Sequence, residues 1–270
     1  MALMLAGCAK PPSSQPQFVS AYQAESSLST NNIVPAAIVT HPAFHAGSLA
    51  GRTLAVASAD EIVLRPGEVV LTFDDGPRPG KTEAILATLD RFGVKASFLM
   101  LGEAAERHPA LARKVAAQGH TVGSHTYSHA DLSTLTRQAA IDEIARGEDA
   151  VAAVLSNGGQ ASSPFFRFPY LSQTGFLRTS LNHSGAVILD VDIDSKDYYR
   201  DAPSVVAERT LQRLEARGSG IILFHDIHQR TVDMLPGFLA ELSARGYSVV
   251  RLVPRDNSIF GRNLITADLM

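Results

Sequence analysis

The sequence predicts an α/β fold, a distorted (β/α) barrel of about seven parallel strands in one main domain with an N-terminal extension. One repeated pattern predicts it, in which an amphipathic helix is followed by a glycine and then by a short apolar strand. About seven such units fit a closed or nearly closed barrel better than an open sheet. Polar and titratable residues also recur directly after the strands, where barrels of this kind carry their active sites.

The predicted strands are short apolar runs that end at glycine, proline or a polar residue. Val-Val-Leu-Thr-Phe at 69–73 is the clearest of them, because Gly76 and Pro77 stop it soon afterwards. The predicted strands span residues 69–73, 95–99, 120–122, 165–168, 186–191, 221–224 and 247–252.

The predicted helices carry apolar residues at helical spacing and are followed by glycine in most cases. In the first helix Ile85, Leu89 and Phe92 lie on one face, and Gly93 follows as the C-terminal cap. The predicted helices span residues 79–92, 108–118, 137–155, 176–183, 203–217 and 231–245.

The main domain is predicted to span residues 68–253, with a C-terminal tail over 254–270. Residues 9–67 are predicted to form a partly disordered tether and extension, since 10–17 is rich in Pro, Ser and Gln. Within 33–66 the short apolar runs could be strands or loosely attached coil, and the sequence does not decide between them.

The charge of the chain argues against a nucleic-acid-binding protein, and its cysteine content excludes a disulfide-stabilised one. The net charge is −3 and no basic run is present, so the sequence offers no surface for nucleic acid. Cys8 is the single cysteine, so no internal disulfide can form.

Leu5-Ala6-Gly7-Cys8 resembles the lipobox of bacterial lipoproteins, in which the cysteine is cleaved free and lipidated. The segment before Cys8 is shorter than the roughly 15–30 residues of a secretory signal and carries no Lys or Arg. The resemblance therefore implies a truncated signal over residues 1–8, whose start lies upstream, with Cys8 as the lipidation site. The alternative is a chance match at a free, small, apolar cysteine.

Asp74 and Asp75 lie side by side where a predicted buried strand ends. Adjacent strand residues point to opposite faces, but at a strand end both side chains can reach one pocket. Paired negative charge in such a place is costly unless a cation is bound there. The alternative is a polar turn, because Asp-Gly-Pro is ordinary turn chemistry.

His125 and His129 are four residues apart, so on one helical turn both imidazoles would face the same side. With a carboxylate from another strand end they make two histidines and one aspartate. Three protein ligands leave positions open for water and substrate, which is typical of a catalytic rather than a structural zinc site. A surface pair of histidines is the alternative.

Candidate residues also follow other predicted strands. Their recurrence favours one common site over the alternative that loops are simply polar. The residues directly after strands are Asp74, His125, Tyr170, Asp194 and His225. Three more candidates are assigned to the surface or to packing, because none ends a strand beside the acidic pair: Glu103, His108 and His120.

Five segments are similar, in order and in spacing, to the five motifs of the polysaccharide deacetylases, the NodB-homology group or carbohydrate esterase family 4. The resemblance covers about residues 68–253 and implies a deacetylase barrel with a catalytic domain over that range. The segments are Thr72-Phe-Asp-Asp-Gly-Pro77, His125-Thr-Tyr-Ser-His129, Arg167-Phe-Pro-Tyr170, Asp194-Ser-Lys-Asp-Tyr198 and Leu223-Phe-His225.

The resemblance implies a metal-dependent hydrolysis of N-acetyl groups on an amino sugar polymer. Asp75, His125 and His129 would hold a divalent metal, with zinc expected and cobalt or nickel as alternatives. Asp74 would be the general base that takes a proton from water, and Arg167 would stabilise its negative charge.

The resemblance also implies that His225 is the general acid that protonates the leaving amine. A carboxylate partner should raise the pKa of His225 so that it is protonated near neutral pH. Asp197 matches the family position of that partner, and Asp194 is the second choice. Asp226 and His228 are expected to support the loop that carries the acid.

Pro169, Tyr170 and Tyr198 are the substrate-binding residues that the resemblance implies, with the backbone N–H of Tyr170 helping to hold the oxyanion. The sequence departs from the family at two of these positions. Leu171 stands where the family usually has glycine. Tyr198 stands where it most often has Trp, so the apolar wall of the cleft should be smaller.

These observations favour an exported deacetylase of peptidoglycan, chitin or chito-oligosaccharide, in the periplasm or at the cell surface. We expect a monomer, attached to the membrane if Cys8 is lipidated. One alternative is an O-acetyl esterase on xylan or another acetylated polysaccharide. A catalytically inactive glycan-binding domain is disfavoured, because base, acid and metal ligands are all present. An amide hydrolase for small cyclic substrates would need a closed pocket rather than a groove.

Overall fold

The structure is a computed structural model that describes residues 49–255. Cys8 and the predicted signal over 1–8 lie outside the described residues, as do the parts of the tether and tail before 49 and after 255. Among residues 49–255, no helix is both long enough and apolar enough to cross a membrane.

The described residues contain one nine-stranded sheet in which every pairing is parallel. Each predicted strand is present, and β1 and β7 are additional. The bounds are β1 Ala50–Val56, β2 Glu68–Asp74, β3 Ser97–Met100, β4 Thr121–Ser124, β5 Phe165–Phe166, β6 Val187–Ile188, β7 Ile193–Asp194, β8 Gly220–His225 and β9 Ser248–Pro254.

The helices within the same residues follow the predicted pattern, with α2 as an unpredicted addition. Short 3₁₀ helices span Ala59–Glu61, Leu132–Thr134 and Pro169–Leu171. The α-helices are α1 Thr82–Arg91, α2 Gly102–Arg107, α3 Pro109–Ala117, α4 Arg137–Ser156, α5 Gly175–His183, α6 Pro203–Arg217 and α7 Gln229–Ala244.

Seven of the strands form a curled half-barrel in the order β6-β5-β4-β3-β2-β8-β7. Strand β9 pairs with the start of β2, and β1 pairs with β9. The prediction of a distorted parallel barrel is confirmed. The sequence placed β9 among the seven strands, whereas the structure has β7 in the half-barrel and β9 beside it.

Strand β2 is buried along its whole length, and its two faces pack in different clusters. Leu71 and Phe73 belong to the cluster that includes the apolar faces of the helices. Val70 belongs to a second cluster, built mainly from strand residues. Because side chains alternate along a strand, Thr72 and Asp74 share the face of Val70. This alternation turns the Asp74 carboxylate away from the helix layer.

Strand β1 lies before Glu68, the predicted start of the main domain. It pairs with β9 from Ala50 to Val56, and Arg52 forms an ion pair with Glu68 at 2.8 Å. The folded sheet therefore includes a strand from the segment 33–66, which the sequence left undecided between strand and coil.

Candidate active site

The candidate site lies at the carboxyl ends of the strands. Asp74 ends β2 and His225 ends β8, and the two residues are register partners on neighbouring strands. His125 follows β4, and Arg167 follows β5, which pairs with β4. Parallel strands bring all their carboxyl ends to one edge, so residues far apart in sequence meet here.

The strand ends surround a cavity of about 460 Å³. This volume lies within the range of roughly 300–1,000 Å³ that is usual for small-molecule sites. The candidate residues that line it are Asp74, Asp75, His125, His129, Tyr170, Asp194, Tyr198, His225 and His228. Its apolar lining comes from Phe168, Leu171, Leu223 and Ile227.

Asp75, His125 and His129 form a cluster that could hold a metal ion, with one ligand atom from each within 4.8 Å of the others. Asp75 Oδ1 lies 3.6 Å from His125 Nε2 and 3.4 Å from His129 Nε2. Tetrahedral ligands about 2.0–2.1 Å from a zinc ion are about 3.4 Å apart. These spacings therefore suit a shared ion better than direct hydrogen bonds.

Two further observations fit a bound cation. Asp75 Oδ1 is buried without a hydrogen-bond partner, which is unfavourable unless a cation binds it. The Nδ1–H of His125 donates to the main-chain oxygen of Arg167 at 2.8 Å, which leaves Nε2 as a lone-pair donor. Burial lowers the pKa of His125 and outweighs the opposing charges of Asp74 and Asp75, so the ring is neutral. The residues present therefore fit a divalent metal.

Left-handed backbone conformations bring these side chains together. The φ angles are 75° at Asp75, 71° at Thr126 and 62° at His129. Such angles are uncommon outside glycine, cost of order 1–3 kcal/mol each and cluster at functional sites. At Asp75 the change of backbone direction lets two consecutive carboxylates reach one cavity. Residues 125–129 form no helical turn, so that prediction is wrong. The two imidazole rings nevertheless lie close together, with their centroids 5.0 Å apart.

Asp74 is buried and paired with the equally buried Arg167, whose Nη1 donates to Asp74 Oδ1 at 2.8 Å. The same nitrogen also donates to Thr72 Oγ1, and Arg167 Nε donates to the carbonyl oxygen of Leu189, each at 2.8 Å. A buried carboxylate needs such a partner, because an unpaired charge there would be costly. Asp74 Oδ2 lies 3.8 Å from His125 Nε2, so Asp74 borders the metal cluster.

His225 lines the cavity and is held from behind by Asp197. The ring Nδ1–H and the backbone N–H of His225 donate to the two carboxylate oxygens at 2.7 and 2.8 Å. Thr231 donates to the same carboxylate at 2.6 Å. Burial lowers the pKa of His225, but the hydrogen bond and charge of Asp197 outweigh it and raise the pKa to about 9. The imidazole therefore carries a proton at neutral pH.

Two exposed tyrosine rings stand at the cavity. The ring centroids of Tyr170 and His129 are 4.5 Å apart, and those of Tyr198 and His225 are 5.7 Å apart. The Tyr198 hydroxyl donates to Asp194 Oδ2 at 2.9 Å. Asp194, the second choice as partner of His225, therefore binds Tyr198 instead.

Asp226, His228 and Pro169 lie further from the centre. Asp226 is buried and accepts a hydrogen bond from Thr82 at 2.6 Å, and burial raises its pKa to about 7. It therefore connects the loop after β8 to the start of α1. The His228 ring lies 5.7 Å from that of His225 and lines the cavity, whereas Pro169 is buried outside the lining.

Sequence reasoning missed three hydroxyl groups that hold the polar residues in place. Thr72 could have been found, because it lies two residues before Asp74 and so on the same face of the strand. Thr82 and Thr231 lie at the starts of helices α1 and α7, and nothing in the local sequence marks their partners.

Comparisons with known proteins identify the family of this chain. A family profile described as polysaccharide deacetylase matches residues 63–188. A chitin deacetylase of Colletotrichum lindemuthianum is 34% identical over 218 residues, which are 76% of this chain and 86% of that protein. The chain belongs to the polysaccharide deacetylase family. It is accordingly a hydrolase that acts on carbon–nitrogen bonds, an N-deacetylase.

Solved structures resemble this deacetylase in fold. A peptidoglycan deacetylase of Bdellovibrio bacteriovorus has a TM-score of 0.68 and 36% identity, over 81% of this chain and 60% of that one. A family 4 carbohydrate esterase of Streptomyces lividans has a TM-score of 0.61 and 30% identity, over 68% of this chain and 91% of that one. Some curated relatives are longer, and the deacetylase spans 43% and 39% of two of them.

Proposed function

We propose that this deacetylase hydrolyses N-acetyl groups of amino sugars in a polysaccharide such as peptidoglycan, chitin or a chito-oligosaccharide, with a divalent metal bound. One observation carries the proposal. Three candidate ligand atoms lie within 4.8 Å of one another in a cavity that also contains Asp74 and His225. The chitin and peptidoglycan deacetylases among the relatives support the substrate class.

Asp75, His125 and His129 would hold the metal. Two imidazole nitrogens and one carboxylate oxygen suit zinc, and cobalt or nickel also accept such a donor set. When bound, the metal would lower the pKa of a water molecule and polarise the acetyl carbonyl.

Asp74 is proposed as the group that accepts the proton of the attacking water. Arg167 donates to Oδ1, and Oδ2 is the oxygen that lies 3.8 Å from His125 Nε2 of the metal cluster. Since Arg167 is itself held by the Leu189 carbonyl, the carboxylate has a fixed orientation. A positioned base of this kind contributes about 10²–10⁴-fold to a rate.

His225 is proposed as the group that donates a proton to the leaving amine. Asp197 engages Nδ1, so Nε2 is the nitrogen left to serve the substrate. The amine of the sugar is a poor leaving group unless it is protonated, and a histidine with a raised pKa holds that proton at neutral pH.

Tyr170 and Tyr198 are proposed to contact the substrate. The backbone N–H of Tyr170 would donate to the oxyanion that forms on the acetyl group, a contribution of about 2.7–4 kcal/mol to transition-state stabilisation. The exposed rings of Tyr170 and Tyr198 would pack against sugar faces, and Leu171 would add apolar surface beside them.

Asp74→Asn tests the proposal, because it removes the base without removing a metal ligand. The variant should bind metal as the wild type does and release acetate from N-acetylglucosamine oligomers about 10²–10⁴-fold more slowly. Metal content by mass spectrometry and acetate release before and after chelation are the measurements. Asp90→Asn, an exposed residue on α1, is the matched control and should match the wild type.

Two results would contradict the proposal. Near-normal turnover by Asp74→Asn would place the base elsewhere. Release of acetate from O-acetylated xylan, with none from N-acetylated oligomers, would indicate an esterase.

We also propose that the deacetylase is exported and anchored to a membrane through lipidated Cys8. The similarity of Leu5-Ala6-Gly7-Cys8 to a lipobox supports this, as does a substrate class found outside the cytoplasm. Mass spectrometry of the full-length product from its native host should find acyl chains on Cys8. Unmodified soluble protein in that host would rule out the anchor.

A further inference from the structure

A second cavity adjoins the catalytic one. Its volume is about 440 Å³, and it shares Asp75, His129 and Ile227 with the first cavity. The two cavities therefore adjoin at Asp75 and His129 of the metal cluster, and we treat them as two branches of one cleft. We call the first the aromatic branch, after Tyr170 and Tyr198. The second is the arginine branch, lined by Arg78, Arg107, Glu103, His108 and Ser128.

With Asp75 assigned to the metal, the arginine branch carries an excess of positive charge. Arg78 is exposed, and within residues 49–255 no carboxylate lies within 4.0 Å of its guanidinium. Arg107 Nη2 lies 3.5 Å from Glu103 Oε2 on the same helix. Glu103 is the one acidic residue in this lining apart from the candidate metal ligand Asp75. Of the two guanidinium groups in this lining, that of Arg107 therefore has a carboxylate partner and that of Arg78 has none among residues 49–255.

The aromatic branch has the opposite character. Neither arginine nor lysine occurs in its lining, which combines the aspartates and histidines of the candidate site with tyrosine rings and apolar side chains. A neutral acetylated sugar suits these walls. Arginine presents a planar fork of donors that matches a carboxylate with two parallel hydrogen bonds. Together the two linings would suit a chain that is neutral at one residue and anionic at the next.

The backbone of Arg78 is fixed close to the reaction centre. Its N–H donates to Thr82 Oγ1 at 2.7 Å, and its carbonyl oxygen accepts the N–H of Lys81 and of Thr82. Thr82 is in turn bonded to the buried Asp226 at 2.6 Å. Arg78 follows Asp75 by three residues, so its side chain starts from a defined place beside the metal cluster.

We propose that the arginine branch binds a carboxylate next to the acetylated residue, so that the deacetylase prefers an acidic glycan to a neutral one. The lactyl group of muramic acid carries a carboxylate of this kind wherever no stem peptide is attached to it, as in glycan strands from which the peptide has been removed, whereas chitin has none. Arg78 and Arg107 are the specificity-determining residues. This inference rests on the proposed function, because it names the substrate class of the same site.

Three oligomers of equal length test the inference. The first alternates N-acetylglucosamine with N-acetylmuramic acid, the second is the same oligomer with its carboxylates converted to neutral methylamides, and the third is an N-acetylglucosamine oligomer. At low ionic strength kcat/KM should be at least about fivefold higher for the acidic oligomer than for its amide. The ratio should shrink as salt is added, because exposed charge pairs are screened.

Arg78→Gln and Arg107→Gln should each lower the acidic-to-amide ratio about two- to fivefold. Arg91→Gln is the matched control, since Arg91 is an exposed arginine at the end of α1 outside both branches, and its ratio should equal that of the wild type. A wild-type ratio near one overturns the inference and leaves the proposed function intact. A ratio that neither substitution lowers also overturns it.

Failure of the proposed function can be distinguished from failure of this inference. If none of the three oligomers releases acetate, the proposed function is wrong. The inference is then decided by calorimetric binding of the acidic oligomer and its amide to the Asp74→Asn protein. Equal dissociation constants would overturn it, and tighter binding of the acidic oligomer that is lost in Arg78→Gln would support it.

Discussion

Asp74 and Asp75 are neighbours in the chain, yet their surroundings give them different chemistry. Asp74 is compensated inside the protein by Arg167, whose Nη1 donates to Asp74 Oδ1 and is itself oriented by a second hydrogen bond to Thr72 Oγ1. Asp75 has a buried oxygen that no donor of the described protein satisfies. Two uncompensated carboxylates could not share this site without a large electrostatic cost. Because Arg167 neutralises Asp74, only the charge of Asp75 remains to be neutralised by a metal.

His129→Ala tests the ligand set at the least buried of its members. Loss of one of three protein ligands should weaken zinc binding by about tenfold or more, because even disturbance of a ligand's supporting contacts typically costs about 10–100-fold. The measurement is a competition titration with a chromophoric chelator. His183→Ala removes an exposed histidine on α5 and should leave the affinity unchanged. Equal zinc affinities for both variants would remove His129 from the ligand set.

Asp197→Asn should shift the pH dependence of the reaction. Burial lowers the pKa of His225, and the charge and hydrogen bond of Asp197 raise it to about 9. Without that charge the pKa falls, so the alkaline limb of kcat/KM should move to lower pH and activity at pH about 8 should drop. Asp233→Asn, an exposed residue on α7, is the control. An alkaline limb that does not move would mean that another group supplies the proton.

The same pair affects stability in a defined direction. The folded-state pKa of His225 lies above its ordinary value of 6.5. A raised pKa means that the folded protein binds the proton more tightly than the unfolded chain does. The resulting stabilisation is complete below about pH 6.5 and disappears as the pH rises through about 9.

At the scale of elements, the strand ends could be read from the sequence and the loop conformations could not. Apolar runs marked where β2, β4 and β8 end, so the residues that follow them were predicted to meet. The left-handed conformations of Asp75, His129 and Tyr170 depend on packing around the site rather than on local preference. Strand β7 is Ile193–Asp194, preceded by Asp192, so no apolar run marks it, and the six residues of α2 gave no clear helical face.

The turn after the acidic pair is tightly packed, and Gly76→Ala tests it. A Cβ at Gly76 would overlap the Asp226 carboxylate, which is itself held by Thr82. We expect a loss of about 1–3 kcal/mol in the free energy of unfolding, as for other overpacked sites. Gly237→Ala is the matched control, because a Cβ in mid-helix α7 meets nothing within 4 Å and should stabilise by about 0.5–1 kcal/mol. Urea denaturation measures both, and equal effects would contradict the packing argument.

At the scale of the molecule, the sequence predicted the half-barrel but not the strand that precedes it. The half-barrel strands are apolar because both faces are buried, and such runs are visible in a sequence. Strand β1 is an edge strand whose residues alternate between exposed and partly buried, and it contains Gly51, Arg52 and Thr53. Its pairing with β9 joins residues about two hundred positions apart. No local pattern could place it in the sheet.

The contribution of β1 can be measured by comparing a chain that begins at Leu49 with one that begins at Glu68. The shorter chain lacks the ladder to β9 and the buried side chains of Leu49 and Val56. Full burial of an aliphatic side chain is worth about 1.5–3 kcal/mol, so the loss of both should cost about 3–6 kcal/mol in the free energy of unfolding. The shorter chain also exposes an edge of β9, which should promote aggregation. Urea denaturation and light scattering provide the comparison, and equal unfolding free energies would show that the domain begins at Glu68, as the sequence predicted.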